Sequence, residues 1–551
     1  MSTTRKNIWL IIALSGGLYG AFAQNENPVI SAIQKEVDRN KTELKLEDMA
    51  PPFFISYTVL DIYNYNLSAS LGNISNYNEY HNRRGVPTLL VGDYLRNNSK
   101  LAERPNYYRS LTSLYENTPG IALTVWNDLD REYKTATEQY KAKMAVISQQ
   151  TQTEAEKNLP DYEQVEPVNI ILQPVPVNFN KAYWENYLRK ASETAKQYPD
   201  IISSNISFYM RNATSYTYNT EGSRYAVPNT LYQLVFTAGT RASDGQELFH
   251  SLYTENATFE QMPDIETYIK ECKKLMEDLL KLKEAPVIDE AYSGPVLLEG
   301  KAVEYFFRFA FFNNGRLYAS PKLIQQNSNY YNNLPTGGND FELMLNKKVM
   351  ARNITVKSIT GQEFYNGKRL NGYYPVDAEG VVPAKELMLI ENGVLRNMLN
   401  GRSPTQKFQH SNGHVRYDFN DGSLRVMPGN ILITCNQTFS NDELRKKLLD
   451  AAREEDLEYA YIIHDMFLGL ISRIYVADGR EELVRGANVT DLGNLKTFKR
   501  IMGASDREQT YSFDLTQSEV IYPDAMLFEE MDINRTQNIE FKKPYIVPKP
   551  N

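Results

Sequence analysis

The chain has 551 residues, of which 42% are hydrophobic and 12% aromatic, a composition that indicates a globular protein with a substantial core rather than a disordered one. Its formal net charge of -8 argues against nucleic acid as a partner, because nucleic-acid-binding surfaces are basic. The only two cysteines, Cys272 and Cys435, exclude a disulfide scaffold and a Cys-rich zinc site. They are compatible with one disulfide or with two thiols.

The first residues predict a signal peptide and export from the cytoplasm, most simply to the periplasm. Arg5 and Lys6 precede a short apolar run that ends at Ala21-Phe22-Ala23, an A-x-A cleavage site. Cleavage near Ala23 removes the two basic residues and shifts the formal net charge from -8 to -10. No later segment is apolar for long enough to span a membrane, so no membrane span is expected after cleavage.

The remainder of the N-terminal half predicts an α+β domain over residues 24–288. Apolar residues at helical spacing predict an opening amphipathic helix. Short alternating apolar runs over residues 53–95 and 201–258 predict strands of an antiparallel sheet. Further helices are expected at residues 126–150, 181–198 and 264–283. The residues that carry the opening helical pattern are Val29, Ile30, Ile33 and Val37.

The second half, residues 289–551, predicts a β-rich domain. It opens with an apolar segment, residues 296–312, and continues mainly with strand and turn signals. One helix is expected over residues 441–454, with Ser440 as its N-cap and Glu443 completing a capping box. The closing prolines Pro544, Pro548 and Pro550 indicate an extended tail.

The five histidines exclude the familiar helical zinc motif, because none of them is followed by glutamate. His410 and His414 are four residues apart, a spacing that favours a shared metal only on a helix, and the residues between them have turn chemistry. A metal pair and a loop held by hydrogen bonds are therefore alternatives here. His464 ends an apolar run and is predicted to be packed or interfacial. Nucleophile-elbow and dinucleotide-binding motifs are absent.

Several short motifs, in order along the second half, together resemble the C-terminal domain of the TldD/PmbA family of metallopeptidases. Two segments of the N-terminal half, Val91–Asp93 and Tyr133–Lys143, resemble an exported TldD-related branch. The resemblance therefore covers nearly the whole mature chain. The motifs in the second half are Asp377–Val381, Leu389–Leu395, Ser411–Arg416, Pro428–Asn430, Asp478–Gly486 and Leu527–Glu530.

Membership of this family implies an α/β N-terminal domain, a β-rich C-terminal domain, and two subunits that enclose a channel for unfolded peptides. It also implies a zinc helix with the pattern His-Glu-x-x-x-His and a later cysteine as third ligand. The matching stretch here is Leu298-Glu299-Gly300-Lys301-Ala302-Val303, in which only the glutamate remains. Leucine and valine cannot bind zinc, and no cysteine follows Cys435. The family pattern thus predicts no bound metal and no cofactor.

Glu299 has two interpretations. It is a candidate catalytic base, or it caps or pairs with a neighbouring group in a segment whose residues Val303, Phe306, Phe307 and Ala310 share one helical face and form core. The sequence does not choose between them.

Three functions follow from these alternatives. The leading hypothesis is an exported TldD/PmbA-type subunit, homodimeric or paired with a zinc-bearing relative, that binds extended peptide at a sheet edge without cleaving it. The second is an active metallopeptidase whose unconventional zinc site uses His410, His414 and a carboxylate such as Glu299. The third is a non-enzymatic envelope binding protein, for which the 38 tyrosines are suited.

Overall fold

The fold was analysed in a computed structural model that describes residues 27–102, 117–176, 179–324, 339–466, 469–490, 492–512 and 517–536. The predicted signal peptide and the proline-rich tail lie outside these residues. Among the described residues, no helix is both long enough and apolar enough to cross a membrane.

The N-terminal half is one mixed sheet with helices on one face. Its strand order is β2-β1-β4-β5-β3, and β6 also pairs with β5. Its elements are α1 (Pro28–Glu43), β1 (Pro52–Ser70), β2 (Asn73–Val91), α2 (Thr118–Gln149), α3 (Glu154–Asn158), β3 (Asn169–Ile171), α4 (Lys181–Glu193), β4 (Ser203–Asn219), β5 (Arg224–Arg241), β6 (Glu247–Asn256) and α5 (Ile265–Glu284).

Side-chain alternation along β1 explains why the helices share one face of this sheet. Ile55, Tyr57 and Val59 point to that face and pack under α1 and α2, whereas Leu67 and Ala69 continue the same face under α4 and α5. The opposite face meets the C-terminal half of the chain, where buried side chains of β1 and β2 contact Tyr417 and Phe419. The expected α+β fold class is confirmed.

The predicted helices are present with shifted ends. The opening helix is α1, and the predicted helix at 126–150 begins eight residues earlier, because Asn117 caps it and Ile121 and Val125 are buried. The predicted capping box of the later helix is confirmed: Ser440 and Glu443 each bind the other's backbone N–H.

The C-terminal half is built on two larger sheets that enclose a common core. One has the order β16-β21-β24-β7-β17-β18-β19, with β20 paired to β24, and the other has the order β12-β11-β8-β15-β23-β22. Two small hairpins, β9–β10 and β13–β14, complete it. The helix α6 and the π-helical turn that follows it pack into the core between the two sheets, whereas α7 covers the outer face of the first sheet.

The bounds of these elements follow the chain in order. They are β7 (Tyr292–Glu299), α6 (Lys301–Phe307), the π-helical turn (Arg308–Asn313), β8 (Ile354–Ser358), β9 (Phe364–Tyr365), β10 (Lys368–Arg369), β11 (Leu387–Glu391), β12 (Val394–Leu395), β13 (Val415–Tyr417), β14 (Leu424–Val426), β15 (Asn430–Cys435), β16 (Thr438–Phe439), α7 (Asn441–Glu454), β17 (Tyr459–Asp465), β18 (Leu470–Tyr475), β19 (Glu481–Val484), β20 (Ala487–Val489), α8 (Leu495–Phe498), β21 (Ile501–Ser505), β22 (Glu508–Ser512), β23 (Glu519–Pro523) and β24 (Ala525–Arg535).

The two cysteines lie in different halves of the molecule and form no disulfide. Cys272 is buried in α5, and Cys435 ends β15, where its thiol donates to the backbone oxygen of Gln437. The structure therefore selects the two-thiol alternative.

A buried arginine, Arg402, connects the two halves. Its guanidinium donates to the backbone oxygen of Glu163 and, at 2.6 Å, to the carboxylate of Glu221, and it stacks on Tyr162 and Phe54. Its side chain has no solvent exposure, and that of Glu221 has 6%. The pair is thus almost fully desolvated, so each charge depends on the other.

We expect Arg402→Met to lower the free energy of unfolding by about 3–5 kcal/mol, because the substitution leaves Glu221 buried without its counter-charge. Urea unfolding measures the change. Adding Glu221→Gln to Arg402→Met should restore part of the loss. The matched control is Arg425→Met, which removes an exposed arginine paired with Asp421 and should cost at most about 1 kcal/mol. Equal effects of Arg402→Met and its control would contradict this account.

Candidate functional site

The stretch predicted to match the zinc motif, residues 298–303, joins a strand to a helix. Leu298 and Glu299 end β7, Gly300 has a positive φ of 55°, and α6 begins at Lys301. A positive φ is strained for residues with a side chain, so glycine suits this turn. The family's helical ligand spacing therefore does not apply across these six residues.

Leu298 and Val303, the two positions that the resemblance matches to the family's zinc-binding histidines, are core positions in this chain. Leu298 and Val303 have no solvent exposure. They belong to the apolar cluster between the two C-terminal sheets, together with Val296, Phe306 and Met526. Aliphatic packing thus occupies the space in which a metal site would need polar ligands.

Glu299 points away from these two residues, because successive side chains of a strand alternate between its faces. Leu297, on the same face as Glu299, packs beneath α7. Arg445 of α7 donates two hydrogen bonds to the Glu299 carboxylate, from Nε to Oε1 and from Nη2 to Oε2, both at 3.1 Å. The glutamate that the motif retains is therefore held by a bidentate arginine.

Two further residues close a ring of charges around this pair. His464, at the end of β17, places Nδ1 3.2 Å from Glu299 Oε2 and Nε2 3.2 Å from Glu481 Oε1. Arg445 Nη1 donates to Glu481 Oε2 at 3.1 Å. We call Glu299, Arg445, Glu481 and His464 the charge ring. With His464 protonated, it holds two cations and two carboxylates.

The charge ring determines the protonation of its members. Although burial opposes the charged form, hydrogen bonds to Glu299 and Glu481 raise the pKa of His464 to about 9. Burial also opposes ionisation of Glu299, but hydrogen bonds from His464 and Arg445 outweigh it and lower the pKa of this carboxyl group. The hydrogen bond from His464 is the main cause that lowers the pKa of Glu481 to about 2.

The lowered pKa of Glu299 bears on whether this residue can act as a general base. A general base must take up a proton near the working pH, whereas a carboxylate between two cations holds protons weakly. The predicted structural alternative, in which Glu299 pairs with a neighbouring group, describes the observed contacts. His464 lies at the surface of the ring with 25% of its side chain exposed, as a packed, ion-paired histidine.

The side chains of the other two predicted site residues, His410 and His414, do not meet at a common site. His414 is buried, and its Nε2 lies 2.8 Å from Ser358 Oγ while its Nδ1 lies 2.8 Å from Asn412 Oδ1. Burial lowers the pKa of His414 to about 4. The side chain of His410 is 87% exposed and contacts Glu163 at 2.8 Å. The segment that joins them is a loop held by hydrogen bonds.

Within the described residues, no three histidine, cysteine or acidic side chains are close enough together to hold a metal ion. The charge ring does not act as a metal site, because its histidine uses one ring nitrogen for each of two separate carboxylates. The donor set of the described residues thus does not fit the zinc that the family pattern implies.

A second acidic cluster lies at the junction of the two halves. Asp377 accepts the backbone N–H groups of Glu379 and Val381 on Oδ1 and that of Val415 on Oδ2. Burial, with the nearby charge of Glu379, raises the pKa of Asp377 to about 7. The motif Asp377–Val381, on which the family resemblance partly rests, is therefore a buried turn whose carboxylate holds three backbone donors.

Comparison with known proteins supports the fold of the whole chain and the family of its second half. Residues 293–535 match the family described as PmbA/TldA metallopeptidase C-terminal domain. No curated protein sequence matches the chain. Solved structures with the same fold include a candidate modulator of a DNA gyrase from Thermotoga maritima, which is 15% identical with a TM-score of 0.57 and which covers 91% of this chain and 100% of its own.

Two further structures give similar values. TldE from Thermococcus kodakarensis is 11% identical with a TM-score of 0.54, and the match covers 91% of this chain and 99% of that one. A candidate modulator of DNA gyrase from Bacteroides thetaiotaomicron is 12% identical with a TM-score of 0.54, covering 92% and 98% respectively. At these identities, the three structures establish the fold alone.

We expect the charge ring to stabilise the protein in a pH-dependent way. The folded pKa of His464, about 9, lies above the value of 6.5 for a free histidine, so its contribution is complete below pH 6.5 and is lost as the pH rises through 9. His464→Gln should therefore cost about 2 kcal/mol at pH 6, after allowance for solvent screening, and much less above pH 9.

Urea unfolding at three pH values across this range measures the difference between the wild type and His464→Gln. Ser472→Ala is the control, because it removes a hydrogen bond to the same imidazole without removing a titrating group. A cost of His464→Gln that stays constant from pH 6 to pH 10 would show that the ring does not hold this histidine charged.

Restoring the family's histidines should not restore a zinc site. We expect Leu298→His and Val303→His, singly or together, to lower stability by about 2 kcal/mol or more each, because an imidazole enters an apolar core without a partner. Elemental analysis should find no stoichiometric zinc. The controls Leu298→Met and Val303→Ile conserve apolar character and should each cost less than about 1.5 kcal/mol. One zinc ion per chain in the double variant would refute the assignment of these positions to the core.

Proposed function

We propose that the chain, whose residues 293–535 match the PmbA/TldA metallopeptidase C-terminal domain, is a TldD/PmbA-type protein that acts as a non-catalytic, peptide-binding subunit in peptide or protein processing outside the cytoplasm. A zinc-bearing member of the same family supplies the cleavage in this proposal. In this proposal the subunit has the family's fold but does not itself catalyse cleavage.

The observation that carries the proposal is the set of contacts made by residues 298–303, the stretch matched to the family's zinc motif. Leu298 and Val303 are buried among apolar side chains, and Glu299 is bound by Arg445 and His464 on the other face of β7. A metallopeptidase needs a metal-bound water and a base beside it. The side chains in this stretch provide neither, although the chain shares its fold with the three solved structures.

Peptide binding is supported by a long sheet edge. β2 has 19 residues, and among the described strands it pairs with β1 alone. Several residues between Asn73 and Tyr80 are exposed along it. An extended peptide can add to such an edge through main-chain hydrogen bonds, a recognised mode of peptide recognition.

The place of action in the proposal rests on residues 1–23. Their basic flank, apolar run and A-x-A site have the form of a signal peptide. An exported subunit requires that its peptides and its zinc-bearing partner also lie outside the cytoplasm.

The decisive experiment is gentle purification of the tagged full chain from the envelope of its native host. We expect a second TldD/PmbA-family protein with an intact zinc motif to co-purify, together with about one zinc ion per pair. The chain purified alone should contain no stoichiometric zinc and cleave no unfolded peptide. Amino-terminal sequencing of the recovered chain should begin at Gln24.

A matched control uses Glu299→Gln in the same host. Because Glu299 is a structural member of the charge ring, the complex carrying this variant should keep its peptidase activity, whereas loss of the partner's motif glutamate should abolish it. Recovery of homo-oligomers only, free of metal, would overturn the proposed partnership. Cleavage and stoichiometric zinc in the isolated chain would instead favour the active-enzyme alternative.

A further inference from the structure

A large cleft lies where the two halves of the chain meet, separate from the charge ring. Its volume is about 830 Å³, within the range of sites that bind small molecules or short peptides. The ends of α2 and α3 form one wall, and residues 320–324, 339–343 and 404–407 form the other. Strand-like pairing of Leu101 with Ile324 joins the two halves at its edge.

The cleft is more basic than the rest of this acidic protein. Arg96, Lys100, Lys322 and Lys407 line it. Arg96 donates to backbone oxygens at the end of α3, and the Lys100 ammonium donates to those of Pro160 and Pro404. Carbonyl oxygens satisfy hydrogen bonds but leave the net charge in place, so the wall keeps an excess of positive charge.

The three acidic residues of the lining, Glu156, Asp161 and Glu342, offset most but not all of this charge. Asp161 is bound by Lys143, a fully buried lysine behind the wall, and by the backbone N–H of Asn97. Glu156 accepts hydrogen bonds in the capping box of α3. Burial, with repulsion from neighbouring cations, lowers the pKa of Lys100 to about 8. An anion bound nearby would relieve that repulsion.

Two lysines at the rim are available to such an anion. Lys322 and Lys407 are both exposed, and no hydrogen bond or ion pair is formed by either ammonium group within the described residues, although Lys322 lies in the field of Glu156 and Lys407 in that of Glu342. They come from different segments of the C-terminal half and line the same cleft. A carboxylate placed between them would gain charge-assisted hydrogen bonds.

The rest of the lining is suited to a peptide rather than to a simple anion. Glu342 accepts from Thr405 through Oε2 and lies near the backbone N–H of Ser320, whereas its buried Oε1 makes no hydrogen bond within the described residues. The neighbouring Leu343 is 64% exposed, the highest exposure among the large apolar side chains of the described residues. An unused acceptor and an exposed apolar side chain match a backbone N–H and an apolar side chain of a ligand.

We propose that this cleft binds the C-terminal end of an extended peptide. Lys322 and Lys407 bind the terminal carboxylate, Glu342 Oε1 accepts a backbone N–H, and Leu343 contacts an apolar side chain at or near the last residue. The inference rests on the proposed peptide-binding function and specifies its substrate class: peptides with a free carboxyl terminus.

The test compares two fluorescent peptides that differ only at the C-terminus. Both have the sequence Gly-Ser-Gly-Ser-Ala-Leu with an N-terminal fluorophore, one as the free acid and one as the amide. Fluorescence anisotropy with the full mature chain should show tighter binding of the free acid by about tenfold or more, the effect of one charge-assisted hydrogen bond. Inorganic phosphate should compete only weakly, because it lacks the apolar and backbone contacts.

The variant Lys322→Ala/Lys407→Ala should weaken binding of the free acid about tenfold or more and leave the amide unchanged. Its matched control, Lys385→Ala/Lys446→Ala, removes two exposed lysines elsewhere and the same net charge. Leu343→Ser should weaken both peptides. All five side chains are exposed, so none of these variants should impair folding.

The possible outcomes distinguish a failure of this inference from a failure of the proposed peptide-binding function. If the free acid and the amide bind equally, or if the lysine variant behaves as its control does, the cleft is not a carboxylate site although peptide binding stands. If phosphate displaces the peptide as well as an unlabelled free acid does, the lysines form a general anion site and the inference fails. If the wild-type chain binds neither peptide, the proposed peptide-binding function is itself overturned.

Discussion

The alternation of side chains along β7 is the constraint on which the C-terminal half depends. This strand lies between β24 and β17 in the larger sheet, so both of its edges are paired, and its faces are covered by the core on one side and by α7 on the other. Leu298 faces the core between the sheets, while Leu297 and Glu299 face α7. One residue of register therefore separates the apolar core from the charge ring. A shift of this register would bury Glu299 and expose the core.

The same constraint explains how residues 298–303 are held in place. The apolar cluster that contains Leu298 and Val303 links β7 and α6 to the second sheet. In place of coordination bonds, this region is held by close packing on one side of the strand and by paired charges on the other. Packing and ion pairs of this kind require no bound ion.

Polar contacts hold the two halves together, which matters for the cleft between them. Arg402 is buried beside Glu221, and Arg485 spans the other end of the junction, where it contacts Ala285, Gln246 and Asp244. These contacts require the two halves to be correctly placed, because a buried charge is stable only beside its partner. They fix the relative position of the walls that carry Lys100 and Lys322. The cleft is therefore a consequence of how two separately built halves are joined.

The sequence by itself determined much of this architecture: the α+β class, the principal helices, the capping box at Ser440 and the resemblance of the second half to the TldD/PmbA C-terminal domain, because these follow from local spacing and short motifs. Only the tertiary structure shows the contacts of Glu299. Its partner Arg445 lies 146 residues away, and His464 and Glu481 come from other strands, so no local pattern connects them. Likewise, the spacing of His410 and His414 indicated a metal pair or a loop, and the fold directs them to different partners because the chain turns between them.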